Sequence, residues 1–497
     1  MTVAVLGSGP VGQTAALLLA RWGVPVVLVD EHPVRDPAGS KAICQQRDTL
    51  DVWASLGAGC LVDEGLTWTT ARTFHRDREL FSYRLPDAGS ALPPFVNLSQ
   101  ARVEEVLDGL IAQQPLIDVR RGHRVTGLTQ GTGVEVHCET ADGPRRIEAD
   151  YAIACAGARG DAVRRALGQH LAGVSFQDLF LICDIRAELD GWAAERRFYF
   201  DPPWNPGRQV LIHPCPGSQF RIDWQVPADY DLAAEETGGA LDKRIRAILG
   251  DRPYEVVWRS VYRFHTRLVE RMRVGRVLLA GDCAHLVAPF GARGLNSGVA
   301  DAENAAWKLA WVLRGHAGEE LLESYHTERH AAAVENAEVT TATMDFLVPQ
   351  DEARREHRAR VLAGGVHADV DSGRLAEPFW YADSPLTTPD PRRPFAGRPP
   401  RGTLPPPGPG VLLPDVTVAS GRLRDLARQG FLLLTTPGAD APAGMRSAEI
   451  PVGCALGARP GEAWLVRPDA YVAAVLPDPT APEVAIALRR GSGVTFT

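Results

Sequence analysis

The chain opens on two apolar runs that flank a helical pattern. Residues 3–6, VAVL, predict a buried strand, and residues 13–22 have helical spacing up to Gly23, where the helix ends. A second apolar run at 26–29 stops at Asp30. The stretch therefore predicts a strand, a helix and a second strand, the opening of a Rossmann-like α/β domain.

A similar pattern returns near residue 280, in LLAGDCAHLVAPFGARGLNSG. Residues 277–280 predict a buried strand that runs into Gly281 and Asp282. After a glycine-rich loop, apolar positions at helical spacing predict a helix from about Asn296 to Leu313, with Asn296 or Ser297 as its N-cap. The chain thus delivers a second helix start far from the first.

The middle and the end of the chain have different patterns. Between residues 173 and 264, short alternating runs separated by turns such as PPWNPG and CPGSQ predict an antiparallel sheet. Residues 385–410 are rich in proline and glycine, which is typical of an extended linker or a wrapping segment. Apolar runs beyond it predict a small α/β unit.

Composition narrows the class of protein. The 497 residues allow two or three domains, and 45% apolar with 23% charged residues is ordinary for a globular protein. A net charge of −8 gives no reason to expect nucleic acid or an anionic membrane as a partner. The N-terminus has no basic region before its apolar run, so we expect no signal peptide and a cytoplasmic protein. Eight scattered cysteines without a C-x-x-C pair indicate reduced thiols and no metal site.

The first glycine loop has the spacing of a dinucleotide-binding motif. Gly7, Gly9 and Gly12, with Pro10 and Val11 between them, form G-x-G-x-x-G. Such glycines allow a tight turn, approach of a pyrophosphate and close helix packing, and the helix start favours phosphate. We expect Asp30, with Glu31 beside it, to bind the ribose hydroxyls. The motif alone leaves NAD and FAD open.

The second loop favours FAD. A dinucleotide held by the first helix can meet the second helix start with its other end, which in FAD is the isoalloxazine ring. Reduced flavin carries negative charge that free amides at Leu295 and Asn296 would stabilise. Asp282 can bond the ribityl chain, and we count Gly281 and Gly294 among the expected cofactor-binding residues.

These residues carry a family resemblance. GDCAHLVAPFGARGLNSGVADAENAAWKLA resembles the second FAD motif of the single-component flavoprotein aromatic hydroxylases, the para-hydroxybenzoate hydroxylase and phenol hydroxylase family. The similarity extends to about residue 345 and includes a Y-x-x-E-R helix formed by Tyr325, Glu328 and Arg329. AWLVRPDAYVA resembles the thioredoxin-like C-terminal domain of many members, but Cys454 stands alone, so we expect packing or dimer contacts instead of redox chemistry.

The resemblance implies an α/β fold in which an FAD-binding domain of the glutathione-reductase type is interleaved with a substrate domain. The implied divisions are FAD-binding residues 1–172 and 265–384, an antiparallel substrate-binding sheet at 173–264, a linker at 385–410 and a thioredoxin-like domain at 411–497. In the family, such a sheet roofs the flavin and supplies the substrate pocket. A homodimer is one of the assemblies that we expect.

The resemblance also implies roles for single residues. The segment from Pro289 to Asn296 matches the loop at the reactive face of the flavin, and Arg221 matches an arginine close to the flavin; we take Pro289 and Arg221 as catalytic candidates. Further expected cofactor neighbours are Lys41, Arg47, Gln100 and Gly157. Lys41 and Arg47 have the alternative of solvated charges, and Gln100 that of a helix cap. The expected substrate-lining residues, with plain sheet packing as the alternative, are Tyr199, Trp204, His213 and Trp224.

One position departs from the family pattern. Where the family has Asp-Gly, this chain has Ala156 before Gly157, followed by Arg159 and Gly160. The missing carboxylate bears on how NAD(P)H is held. We expect a neighbour such as Asp161 to take its place.

The resemblance implies an FAD-dependent aromatic hydroxylase of secondary metabolism. NADH or NADPH would bind transiently and reduce tightly bound FAD, and O2 would form a flavin C4a-hydroperoxide that oxygenates a phenolic or polycyclic aromatic substrate. Baeyer–Villiger oxygenation and epoxidation on the same scaffold stay open, as does a flavin-binding sensor that does not oxidise NAD(P)H. The chain contains no W-x-W pair, which disfavours a halogenase.

Overall fold

The computed structural model describes residues 1–35, 41–84, 90–371, 373, 375, 377–397 and 405–494. The first 170 residues contain β1 (Val3–Leu6), α1 (Pro10–Arg21), β2 (Val26–Val29), β3 (Cys44–Gln46), α2 (Arg47–Ser55), α3 (Cys60–Glu64), β4 (Thr70–His75), β5 (Arg78–Arg84), β6 (Phe95–Asn97), α4 (Gln100–Ala112), β7 (Ile117–Arg120), β8 (Arg124–Gln130), β9 (Val134–Thr140), β10 (Gly143–Ala149), β11 (Tyr151–Ala154) and α5 (Asp161–Ala166).

The middle of the chain continues with β12 (Ala172–Arg186), β13 (Glu195–Phe200), β14 (Gln209–Cys215), β15 (Gln219–Val226), α6 (Leu232–Thr237), α7 (Ala240–Leu249), β16 (Glu255–Leu268), β17 (Arg273–Val274), β18 (Val277–Leu279), β19 (His285–Leu286), α8 (Arg293–Leu313), α9 (Glu320–Leu347) and α10 (Glu352–Gly364). The last part holds β20 (Thr417–Val418), β21 (Gly421–Arg422), α11 (Leu423–Ala427), β22 (Leu432–Thr435), β23 (Ser447–Glu449), β24 (Glu462–Val466), β25 (Val472–Pro477) and α12 (Ala481–Gly491).

A six-stranded sheet in the order β17-β18-β11-β1-β2-β7 forms the centre of the FAD-binding part, and all its pairs are parallel except β17 with β18. The residues of β1, β11 and β18 are fully buried because helices cover both faces, as is usual for parallel sheets. The carboxyl ends of β1, β2, β11 and β18 meet at one edge, where both glycine loops lie. This edge is the usual ligand site of such sheets.

The substrate sheet has eight strands in the order β19-β16-β12-β15-β14-β13-β4-β5. β4 and β5, from residues 70–84, extend it beyond the predicted limits of 173–264, because β4 adds in parallel to β13. The division at residue 172 was therefore wrong for this hairpin. β4 and β5 are partly exposed and charged, a pattern that did not distinguish which sheet they join.

The C-terminal unit is a four-stranded sheet in the order β23-β22-β24-β25 with α12 against it. The described part of the preceding segment wraps over the surface, and Thr388 and Gly410 donate backbone hydrogen bonds to Ala473 and Val472. Residues 398–404 of the predicted linker and 495–497 of the predicted C-terminal domain lie outside the described residues.

Buried ion pairs join this unit to the FAD-binding part. Asp51 on α2 accepts hydrogen bonds from Arg422 and Arg428 at 2.7 Å, and Arg428 also reaches Glu303 on α8 at 2.7 Å. Glu328 on α9 lies between Lys308 at 2.6 Å and Arg467 at 2.5 Å, all with fully buried side chains. The expected packing role of the C-terminal unit therefore has a physical basis, since its arginines neutralise carboxylates in the core of the other unit.

None of the helices in the described ranges combines the length and the apolar character that crossing a lipid bilayer requires.

Candidate active site

The three glycines of the first loop have different neighbours. A Cβ on Gly7 would lie 2.3 Å from the carbonyl oxygen of Cys155, and a Cβ on Gly12 would lie 1.9 Å from that of Gly7. Both glycines are therefore required by packing inside the protein. A Cβ on Gly9 would meet no atom of the described part of the chain within 4 Å, because Gly9 faces the open cleft at the start of α1. Such a cradle fits a phosphate group that approaches the backbone.

Pro10 and Val11 complete the loop. Pro10 is the first residue of α1, where its missing amide hydrogen costs nothing. The Val11 side chain lies against the two glycines of the second loop region, since Cβ atoms on Gly281 and Gly298 would fall 3.1 and 2.5 Å from its Cγ2. The two glycine segments are thus in direct contact, although 270 residues of chain separate Val11 from Gly281.

Asp30 follows β2 as predicted, and its carboxylate accepts hydrogen bonds from the backbone amides of Ser8 and His32, each at 2.9 Å. Glu31 is exposed and pairs with Arg159 at 3.3 Å. Sequence reasoning missed Arg35, whose guanidinium donates to the Ser8 carbonyl at 2.9 Å and pairs with Glu104 and Asp108 on α4. The acidic pair at i and i+4 on α4 was the available signal.

The second loop presents Asp282 to the same cleft. The Asp282 side chain is open to the cleft, yet protein surrounds the site, and this burial raises the pKa of its carboxyl while His285 and Lys41 oppose the rise. Beneath it, the Asp301 carboxylate accepts from the Gly281 amide at 3.0 Å and from Arg329 at 2.7 Å. Burial acts against ionisation of Asp301, but Arg329 and His285 outweigh it and lower the pKa of Asp301 to about 2. A fixed anion thus supports the loop that carries Asp282.

The helix after this loop begins earlier than predicted. α8 starts at Arg293, and its N-cap is Ala292 in a left-handed conformation with φ 55°, so neither Asn296 nor Ser297 is the cap. The first-turn amides belong to Arg293, Gly294 and Leu295, which lack helical acceptors. Of the two predicted free amides, that of Leu295 lies in the first turn, whereas the prediction was wrong for Asn296, which lies one turn in; Arg293 and Gly294 supply the other first-turn amides.

Asn296 has a positioning role instead. Its side-chain oxygen accepts from the Gln46 amide at 2.9 Å, and its Nδ2 donates to the carbonyls of Cys44 at 3.0 Å and Ala292 at 2.6 Å. Pro289 is exposed in the loop just before the helix. Asn296 thus fixes β3 against the start of α8.

The other predicted cofactor neighbours lie around β3. The Lys41 side chain is exposed, and its carbonyl accepts from Arg221 at 3.1 Å. Gln100 accepts from the Ala42 amide at 3.1 Å, so it positions this segment more than it caps α4, whose cap is Ser99. The Arg47 guanidinium donates to the Leu92 carbonyl at 3.0 Å.

The segment around Ala156, which departs from the family pattern, follows β11. Gly157 has φ 65° in the turn after β11. Asp161 in the next helix pairs with Arg164 at 2.6 Å. Its carboxylate is therefore engaged locally, and a substitute role for Asp161 stays a prediction.

The substrate sheet turns an aromatic face toward the second loop. Phe180 stacks on Phe264 at 4.2 Å between ring centroids, and lies 5.8 Å from Phe290 of the loop. Phe198 lies 6.4 Å from Phe290. We call this cluster, which also includes Phe200, Leu211, Met344 and Leu347, the aromatic chamber.

Strand alternation separates the predicted substrate residues into two groups. Tyr199, Trp204 and Trp224 pack on the opposite face of the sheet with the apolar core under α7, so their prediction as substrate contacts was wrong. The sequence shows alternation but not which parity faces inward. His213 on β14 lies directly opposite Arg221 on β15, and both side chains are on the chamber face. Arg221 forms a two-pronged ion pair with Asp184 at 2.7 and 2.8 Å.

Comparison with known proteins agrees with this geometry. The family model described as FAD binding domain matches residues 1–340. A 3-(3-hydroxy-phenyl)propionate/3-hydroxycinnamic acid hydroxylase of Mycolicibacterium gilvum (strain PYR-GCK) is 31% identical over 72% of this chain and 62% of its own length. The chain thus spans less than two thirds of that relative.

Two further proteins match this chain over a larger share of their own length. A flavin-dependent monooxygenase of Mycobacteroides abscessus is 30% identical over 75% of this chain and 80% of its own length. The crystal structure of the flavin-dependent monooxygenase PieE, in complex with FAD and substrate, matches with a TM-score of 0.87 over 100% of both chains at 23% identity. The latter likeness includes the C-terminal unit and confirms the predicted α/β fold.

Proposed function

The chain belongs to the FAD binding domain family, and from this premise we propose that it is an FAD-dependent monooxygenase that uses NAD(P)H and O2 to hydroxylate a phenolic or polycyclic aromatic substrate. The observation that carries the proposal is the aromatic chamber, which lies between the substrate sheet and the loop of Pro289 and Phe290. Its side chains are buried, and an aromatic wall at this place suits a planar aromatic substrate.

The residues of the cleft fit FAD. Gly9 and the start of α1 would hold the pyrophosphate, Asp282 the ribityl chain, and the first-turn amides of α8 the negatively charged edge of the ring system. When bound, FAD supplies the hydride acceptance and oxygen activation that no side chain can supply. The protein's own part is to bind and orient the substrate and to exclude water through the phenylalanines.

Localisation and assembly belong to the same proposal. The eight cysteines are free thiols, which suits the reducing cytoplasm. The homodimer stays an expectation that sedimentation of the purified protein can test.

The test is a purification followed by a turnover assay. We expect a yellow protein whose NADH or NADPH oxidation in air is stimulated by phenols or hydroxylated polycyclic aromatics, with a product heavier by one oxygen atom. Formation of a phenol distinguishes hydroxylation from Baeyer–Villiger insertion, which gives an ester. Colourless protein that FAD cannot reconstitute, or a flavin that neither nicotinamide reduces, would contradict the proposal.

Substitution of Asp282 tests the cofactor site. Burial raises the pKa of the Asp282 carboxyl. Because none of the described residues donates a hydrogen bond to this carboxylate, it is available to accept one from a ligand hydroxyl. We expect Asp282→Ala to weaken FAD binding by about 10–100-fold, the loss of one charge-assisted hydrogen bond. Flavin content per protein measures the effect.

The matched control is Asp190→Ala, which removes an exposed aspartate in a turn of the substrate sheet. This variant should retain wild-type flavin content. Full flavin retention in Asp282→Ala would remove Asp282 from the site.

A further inference from the structure

Three polar side chains on the chamber face have buried atoms that find no hydrogen-bond partner within the described ranges of the chain. They are Oδ1 of Asp223, Nδ1 of His213 and both amide atoms of Gln209. Buried polar atoms are almost always paired, because an unpaired one costs free energy. A row of such atoms in one chamber therefore points to a polar ligand that pairs them.

The strand register places these groups in a line. His213 lies opposite Arg221 and Leu211 lies opposite Asp223, so the four side chains share the face that Leu211 turns to the aromatic chamber. Successive positions on one face are about 6.6–6.8 Å apart. Arg221, whose Nη1 donates to the Lys41 carbonyl, marks the end near the cofactor segment, Asp223 is one step farther, and Gln209 is a step beyond that.

Asp223 forms no ion pair with Arg221, which precedes it by two residues on β15. Asp184 on β12 takes Nε and Nη2 of Arg221, at 2.7 and 2.8 Å. Burial raises the pKa of Asp223 to about 7; Arg221 on its own strand opposes the rise and Asp184 adds to it. The other titratable or charged groups facing this cluster are His213 and Cys215 on β14, Arg196 on β13 and Arg358 on α10, whose guanidinium lies 5.5 Å from the Phe200 ring centroid. Near neutral pH the carboxyl can both accept and return a proton.

We propose that Asp223 accepts the proton of a substrate phenolic hydroxyl, and that His213 and Gln209 bind further oxygen atoms of the same substrate. The inference rests on the proposed hydroxylase function and narrows its substrate class. In this step the phenolic O–H bond breaks, its electron pair stays on the oxygen as phenolate, and the proton forms an O–H bond on the Asp223 carboxylate. No electrons are exchanged, and the ring becomes more electron-rich.

The neutral Gln209 amide defines the second part of the class. A carbonyl can accept a hydrogen bond from its Nε2, and a second hydroxyl can in addition donate to its Oε1. We therefore expect a planar polycyclic phenol with a second polar oxygen, and 2-hydroxyanthraquinone, whose carbonyl can accept from Nε2, is a suitable probe.

Asp223→Asn tests the proton transfer. In the wild type we expect product formed per NAD(P)H consumed to rise with pH through about 7, because only the ionised carboxyl accepts a proton. The variant should lose this rise and form product about 100-fold more slowly at pH 7, with unchanged flavin content. The control Asp229→Asn, an exposed aspartate just after β15, should match the wild type. Wild-type rates and pH profile in Asp223→Asn would overturn the proposal.

Binding to the wild type gives a test that needs no variant. Quenching of flavin fluorescence should show 2-hydroxyanthraquinone binding about 10-fold more tightly than 2-methoxyanthraquinone, since the ether has no proton to donate. Asp223→Asn should lose this preference. Equal affinities in the wild type would overturn the role of Asp223, even where other phenols are hydroxylated. A protein that oxygenates no phenol at all would instead count against the proposed function.

Discussion

A Gly9→Val variant is expected to fold normally and yet to bind FAD about 100-fold more weakly than the wild type. Gly9 is the N-cap of α1 with φ −75° and ψ 179°, an extended conformation that valine adopts without strain. A Cβ added there would meet none of the described residues within 4 Å. It would instead fill the place where phosphate oxygens reach the helix amides, and such overpacking costs up to about 3 kcal/mol. Flavin content and a titration with FAD measure the loss.

Two other glycines make the result interpretable. Gly59 is also an N-cap with open space around it, but it belongs to α3 away from the cleft, so Gly59→Val should bind FAD as the wild type does. Gly12→Ala should fail to fold, because its Cβ would lie 1.9 Å from the Gly7 oxygen. A Gly9→Val protein with normal flavin content would show that the first loop does not hold the pyrophosphate.

A Glu328→Ala variant is expected to lose about 3–5 kcal/mol of unfolding free energy. The substitution leaves Lys308 and Arg467 without their shared carboxylate, and both side chains are fully buried. Ser384, which donates to the same carboxylate, also loses its acceptor. Urea titration followed by tryptophan fluorescence should show the loss, since Trp307 lies beside this network.

The pH dependence of this deficit has a definite sign. Burial would raise the pKa of Glu328, but Arg467 and Lys308 outweigh it and hold the pKa well below its usual range. Its stabilisation is therefore complete above about pH 4.3 and is lost as the pH falls toward the folded-state pKa. The difference between Glu328→Ala and the wild type should narrow in acid.

The control on the same helix is Glu323→Ala. Glu323 also pairs with an arginine, Arg271, but both side chains are more than two fifths exposed, so its loss should stay within about 0.5 kcal/mol. Equal effects of the two substitutions would contradict the role given to the buried network.

The strand and helix positions around the first loop could be predicted because local signals agree there. The apolar runs at 3–6 and 26–29 are strands β1 and β2, and the glycine spacing lies between β1 and α1 as expected. Asp30 and Asp282 also lie at the strand ends where the apolar runs stop. Each of these positions depends on neighbours in sequence, which a pattern records.

The remaining site features depend on contacts that the pattern does not contain. α8 starts at Arg293 because Ala292 takes a left-handed conformation, which alanine rarely adopts. Alternation along FRIDWQV shows that Arg221 and Asp223 share a face, but only the packed sheet shows that this face is the chamber and that Trp224 faces away. Arg35 was missed because its partners lie on α4, about 70 residues away.

The arginines of the C-terminal unit have a consequence for modularity. Arg422, Arg424, Arg428 and Arg467 serve as counter-ions for Asp51, Glu303 and Glu328, which belong to the other part of the chain. Cutting the chain at the proline-rich segment would leave these carboxylates buried without the arginines that neutralise them. Exchange of this unit between relatives would then give a stable protein only when the arginines and their acidic partners are exchanged together.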